Sequence, residues 1–340
     1  MNKLCYYLDV LGLTWFVPLV RFIAGQDRPY QAKQFLRMVA PPVLAIVLSL
    51  AAWHLVASKI RLGEMAIPTP VEVAKRGGEM VDEWKAERQR RADYELQVTQ
   101  AAAQNGMTVE QIKQVMKYEP KRIFTNQVWL SLQTAFAGVF LGVIIAVPIG
   151  ILCGLSGTAF AMTNPLIQLF KPVSPLAWFP VVYIVINKLM EGVPNDAMVS
   201  KSFVIAMLVV TLCSLWPSLI NTANGVANVE KDHLNVARVL NLGIFTRIWR
   251  IILPSSLPHI FTGMRLSMGI GWMVLIAAEM MAVSPGLGGF IWDWYQSSND
   301  IALSYLLLAV VVIGGIGFLL DRIFIALQRL VSHGSTATIR

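Results

Sequence analysis

The feature that most constrains this chain is the recurrence of apolar blocks about as long as a bilayer is thick. Val128–Gly154 and Ile301–Leu320 contain no charged residue, and a helix rising ~1.5 Å per residue needs ~20 residues to cross a hydrocarbon core of ~30 Å. Comparable blocks near 39–57, 164–186, 202–221 and 266–284 bring the expected spans to about six. Lipid offers no hydrogen bonds to a bare backbone, so spans of this kind fold as helices. The expected fold is therefore all-α: a polytopic membrane bundle of about six transmembrane helices, carrying a helical periplasmic insertion.

Composition agrees. With 56% hydrophobic and 14% charged residues among 340, there are too few charges to solvate a soluble globule of this size. The formal charge of +8 does not point to nucleic acid, because the basic residues form no aromatic-interleaved patch and instead flank spans. With the N-terminus inside, the cytoplasmic segments carry thirteen Lys/Arg and the short outer loops only Lys188 and Lys201, which fits the positive-inside rule. Twelve more lie in the 58–127 loop, which exceeds the length of ~60 residues over which the rule operates. Both termini are thus expected in the cytoplasm, with the chain in a bacterial inner membrane.

Catalytic equipment is absent from the pattern. Cys5, Cys153 and Cys213 are far apart and read as small hydrophobes, and the four histidines are scattered. No metal-ligand spacing, nucleophile elbow or phosphate-cradling glycine loop is present. The expectation is a chain that is not an enzyme and binds no metal and no cofactor.

Read along its length, the chain divides into a cytoplasmic or interfacial segment (1–38), a first span (39–57), a periplasmic loop (58–127), a core (128–326) with a cytoplasmic loop at 222–262, and a cytoplasmic tail (327–340). Val10–Val20 is apolar but half a span long and contains Pro18, so it reads as interfacial rather than as a signal peptide or further span. In the outer loop, acids and bases at helical spacing predict helix, turn, helix over about 82–122. Asn105-Gly106 supplies the stop, and Thr108-Val109-Glu110-Gln111 has the form of a capping box. A solvated insertion and a landing surface for a periplasmic partner are both open at this point.

Glycine and proline distinguish the spans. Gly138/Gly142 and Gly150/Gly154 are small-xxx-small pairs that let helices approach closely, and Gly314, Gly315 and Gly317 carry the same implication. Pro165, Pro172, Pro175 and Pro180 break the third span inside the bilayer, which is tolerated where protein or a water-filled cavity covers it. Lys171 lies in that segment, either snorkelling to the cytoplasmic edge or facing a pathway. Ser174 and Trp178, three and seven residues on, would share its face wherever the segment is helical. Glu279 is an acid well inside the fifth span, read more readily as a hydrogen bond to a neighbouring helix than as a substrate contact. Lys171, Ser174, Trp178 and Glu279 are the pathway candidates.

Between the fourth and fifth spans, Asp232 is a plausible N-cap, and Leu234, Ala237, Val239 and Leu240 form an apolar stripe that Asn241 can close in the left-handed conformation. A short amphipathic helix in such a loop is suited to another protein's groove. Here the chain resembles the integral-membrane subunits of binding-protein-dependent ABC importers. Their cytoplasmic motif reads Glu-Ala-Ala, three residues, Gly, nine residues, Ile, one residue, Leu-Pro. Ile251, Leu253, Pro254 and Ala237 match it, whereas Asn235, Val236 and Asn241 depart from it. The resemblance runs from about Ile67-Pro68-Thr69-Pro70 to Asp321-Arg322, omitting the insertion. Leu234–Leu240, Ser174–Pro180 and Gly286–Asp293 look most like the nitrate and bicarbonate branch, with sulfonate and taurine permeases next.

The resemblance implies a homodimer around a central pathway in the lipid bilayer, two cytoplasmic ATPase subunits that use the ATP, and a periplasmic substrate-binding protein. It implies that Asn235, Val236, Ala237, Arg238, Leu240, Asn241, Leu253 and Pro254 couple the ATPases to the spans. It also implies a small inorganic anion as substrate, nitrate first and bicarbonate, nitrite or cyanate behind it. A secondary transporter or channel is the competing class.

Overall fold

The computed structural model describes residues 17–336 except 26, 60, 63–64, 119–120, 193–199, 231, 233–234, 236–238 and 298–300. Two short strands, Arg61–Leu62 and Met65–Ala66, pair antiparallel. Everything else of regular structure among the described residues is helical. Five helices are long and apolar enough to cross a membrane, or six if one sharply bent pair counts as a span.

After a short helix α1 (Val17–Ile23) comes α2 (Arg28–Lys59), the first span. None of its most apolar window is buried within this chain. Its Trp53 is tied to the segment that follows by an Nε1–H donated to the Pro68 carbonyl at 3.1 Å.

The insertion begins earlier than the charge pattern suggested. Helix α3 (Pro70–Asn105) starts at a capping box: Glu72 Oε2 accepts from the Thr69 N–H at 2.7 Å, and Thr69 Oγ1 accepts from the Glu72 N–H at 3.4 Å. Proline at its first position has no donor to lose there. Val73 and Met80 join Phe290, Leu308 and Ala309 in one buried cluster, so the base of α3 is part of the bundle's end. Tyr305 donates to Glu79 Oε2 at 3.3 Å across the same junction.

The distal part matches the predicted stop and restart. Gly106 closes α3 in the left-handed conformation at φ 63°, and α4 (Val109–Val115) starts with the Thr108 N–H donated to Gln111 Oε1 at 3.0 Å. The returning segment is pinned to α3 through Glu87, which accepts from the Tyr118 hydroxyl at 2.8 Å and the Lys121 N–H at 3.1 Å and pairs with Arg90 at 3.0 Å. These donors, Tyr118 first, hold the Glu87 carboxyl below its ordinary value.

The bundle is built on α8 (Lys201–Ala227), packed between α5 (Phe124–Leu155) and α9 (Ile244–Met281). The α5–α8 seam follows the predicted glycines. A β-carbon at Gly138, Gly150 or Gly154 would stand within 2.7 Å of α8 atoms, whereas one at Gly142 would find ordinary contact at 3.5 Å. Helix α9 contains a π-helical turn, Ile248–Ile252, ahead of Pro254. Proline at 254 cannot donate to the Arg250 carbonyl, and the ladder slips locally, with the Leu253 N–H reaching Ile248 O. Helix α10 (Leu287–Ser297) and the last span, α11 (Ala302–Thr336), close the bundle. Within this chain, Gly314 and Gly315 have open space where a β-carbon would be, and Gly317 approaches a neighbour, Trp272 at 3.1 Å.

Candidate translocation and coupling sites

Where the sequence predicts the third span, the chain forms two helices. α6 (Gly157–Phe170) and α7 (Pro175–Leu189) meet at 99°. Pro172 and Pro175 lack donors, and Ser174 Oγ caps α7 by accepting from the Leu176 N–H at 3.3 Å. The continuous face expected to join Lys171 to Ser174 and Trp178 therefore does not form, because Lys171 ends α6 while the other two begin α7. Lys171 and Ser174 are exposed.

What the break brings together is aromatic. The Phe170 ring lies 5.8 Å from that of Trp178 and is stacked on Trp216 of α8 at 6.3 Å. Trp216 stands near the middle of α8, roughly 22 Å along the axis from Lys201 and 16 Å from Ala227 at ~1.5 Å per residue. The break thus lies beside the middle of α8 rather than at either of its ends. Phe170 and Trp216 were missed in the sequence, where each is one aromatic residue in an apolar run.

Glu279 is fully buried in α9 and has a defined set of donors. Ser131 of α5 places its hydroxyl 2.9 and 2.7 Å from the two carboxylate oxygens, and the Gly288 N–H donates to Oε2 at 3.0 Å. Ser131 Oγ in turn accepts from the Leu287 N–H at 2.8 Å. A carboxylate at the start of a helix meets its unsatisfied N–H groups and the positive end of its dipole, so Glu279 and Ser131 fix α10 to α5 and α9. This explains the Gly286-Leu287-Gly288-Gly289 run: a β-carbon at Gly286 would overlap the Glu279 carboxyl, and one at Gly288 would lie 2.6 Å from Glu279 Cβ. The turn between α9 and α10 places Val283 at φ 49°, an uncommon conformation for a β-branched residue.

In the cytoplasmic-loop candidate, Asp232, Asn235 and Val239 are helical, Leu240 and Asn241 turn, and Asn241 has the left-handed φ of 48° expected of it. Val236, Ala237 and Arg238 lie outside the described residues. Val239 and Leu240 are exposed, and Phe245 and Trp249 continue an exposed apolar surface into the start of α9. Leu253 and Pro254 follow the π-helical turn that ends this surface.

The family model described as the binding-protein-dependent transport system inner membrane component matches residues 146–333. The chain belongs to this family. The match takes in α6, α7, α8, the loop between α8 and α9, α9 with Glu279, and α10; α2 and the insertion lie outside it. Similar proteins include the bicarbonate transport system permease protein CmpB of Synechococcus elongatus, 38% identical over 200 residues, which are 58% of this chain and 66% of that protein. The nitrate import permease protein NrtB of the same organism is 36% identical over 206 residues, 61% of this chain and 69% of that one. The taurine transport system permease protein TauC of Escherichia coli is 32% identical over 207 residues, 60% and 69%. The chain thus spans just under two thirds of the bicarbonate permease. As an inner membrane component of this family it is a multi-pass membrane protein, and the aromatic break, the buried carboxylate and the exposed apolar residues Val239, Leu240, Phe245 and Trp249 are features of that component.

Proposed function

We propose that this chain is the permease subunit of an ATP-driven importer, lining the path of a small inorganic anion, nitrate or bicarbonate. The single observation that carries the reading is the similarity to bicarbonate and nitrate permeases at 38% and 36% identity, with the taurine permease behind at 32%. In this reading two copies face each other across the pathway in the bacterial inner membrane, N- and C-termini inside. A pair of ATPase subunits docks on the 232–241 segment, where Val239 and Leu240 are exposed. A substrate-binding protein delivers the anion from outside. ATP-driven closure of the ATPases is passed to the spans as a rigid-body switch between two access states, and the loaded binding protein favours one state by binding it more tightly.

The test is uptake of labelled nitrate and bicarbonate by cells lacking this chain, complemented with the wild type or with Leu240→Asp. Wild type should restore uptake, and Leu240→Asp should insert but not restore it, since docking energy is concentrated in a few buried apolar contacts. Full uptake with Leu240→Asp would refute the docking surface. Normal nitrate uptake without the chain, together with lost growth on taurine, would move it to the sulfonate branch.

A further inference from the structure

Trp178 and Trp216 stand out because both place an indole Nε1–H out of contact with solvent and without a hydrogen-bond acceptor. An indole nitrogen can only donate, and a buried donor left unmet is destabilising. Other unmet hydroxyls on α8 have a packing explanation: Ser214 lies 3.5 Å from where a Gly271 β-carbon would be, and Thr222 lies 2.7 Å from the corresponding point at Gly150, so both are small side chains wedged into helix seams. The two tryptophans also pack against apolar clusters, Trp178 on the central one and Trp216 beside Leu215 and Leu219, but phenylalanine would fill much of the same apolar space without the unmet donor. Both also converge on one ring, that of Phe170, at the break between α6 and α7.

We propose that the Trp178 and Trp216 indole N–H groups are anion donors of the translocation path, shielded by Phe170 in this conformation and uncovered when the α6–α7 break moves. The inference rests on the anion reading above and names the residues that give it effect. Neutral N–H donors suit a path better than a buried cation would, because a dehydrated anion must be met at each stage yet must also leave. Discontinuous helices at mid-depth are where such sites form. Phe170 has no polar atom and packs on both indole rings from the end of α6, next to the bend at residues 171–174. Two donors on different helices, α7 and α8, would release the ion as the helices separate.

The experiment uses cells whose only copy of this chain is wild type, Trp178→Phe, Trp216→Phe or the double variant, with the amount in the membrane matched. Labelled nitrate, bicarbonate and taurine are supplied separately. Each single variant should lower the maximal rate for the transported anion about tenfold, the effect of losing one hydrogen bond to a charged group, and the double variant should lower it further. A second pair of variants replaces each tryptophan by 3-benzothienylalanine, which keeps the fused ring and carries sulfur in place of the N–H. A role in packing alone predicts normal uptake with this isostere, whereas the proposal predicts the same loss as with phenylalanine. Wild-type uptake with unchanged rates in the double phenylalanine or the isosteric variants overturns the donor role and leaves the importer reading intact. Wild type carrying neither nitrate nor bicarbonate overturns both.

Discussion

Replacing Gly138 with alanine tests how the central seam is held together. The new β-carbon would stand 2.7 Å from the Met207 carbonyl oxygen and 2.7 Å from Val210 Cγ1. Neither neighbour is the end of a flexible chain, so α5 and α8 must part by several tenths of an ångström. That movement also stretches the bond from the Thr211 hydroxyl, which bridges the Gly138 carbonyl at 2.9 Å and its own helix at Met207 O at 2.8 Å. Overpacking of this kind costs ~1–3 kcal/mol, against which the better helix propensity of alanine returns up to ~1 kcal/mol. The net expectation is a loss of about 1–2 kcal/mol, roughly a five- to thirtyfold shift in the unfolding constant. Gly142→Ala, one turn along the same face, meets Leu215 Cβ at 3.5 Å and keeps its propensity gain, so it should match or exceed wild-type stability. Unfolding of both variants in mixed micelles, titrated with a denaturing detergent and followed by tryptophan fluorescence, separates the two cases. Equal stability of the two variants, or a larger loss at Gly142, would refute the seam geometry.

Three further outcomes follow from the same contacts. Ser131→Ala removes both the hydroxyl bonded to Glu279 and the acceptor for the Leu287 N–H, and should cost ~1.5–3 kcal/mol; proteolysis in the 281–287 turn should rise with it, and unchanged proteolysis would count against the anchoring role. Glu87 has a folded-state value held below its ordinary one, so its stabilisation of the returning segment is present above the ordinary glutamate value of about 4.3 and is lost as the pH falls through the folded value beneath it. Exchange of the Lys121 amide, measured relative to Glu87→Gln at each pH to cancel the intrinsic dependence, should converge on the variant at low pH; a constant ratio would contradict the linkage. A cysteine at Gln100 should react in intact cells with a thiol reagent that cannot cross the membrane, and labelling only after lysis would invert the proposed orientation.

The sequence by itself determined that this chain is a bundle of membrane-spanning helices, because apolar length against bilayer thickness and the need to satisfy backbone groups in lipid leave no other fold for its long uncharged blocks. It determined local events for the same reason of short range: the stop at Gly106, the restart at Thr108 and the left-handed Asn241 each depend on a residue and its nearest neighbours. Tertiary structure decided everything that depends on which helices meet. The same small-residue pattern marks α5, where Gly138, Gly150 and Gly154 lie against α8, and α11, where a β-carbon at Gly314 or Gly315 would meet nothing among the described residues of this chain, since a glycine permits an approach but cannot specify a partner. Glu279 acquired its role from Ser131, 148 residues away in the chain, and Gly286 is required because that carboxylate lies against it, whereas Gly288 also faces the Ile276 carbonyl and Gly289 faces the Ser284 carbonyl. The aromatic break was half legible: prolines announced that the span is interrupted, but the meeting of Phe170, Trp178 and Trp216 is set by a 99° bend and by the register of α8, which no local signal in the sequence encodes.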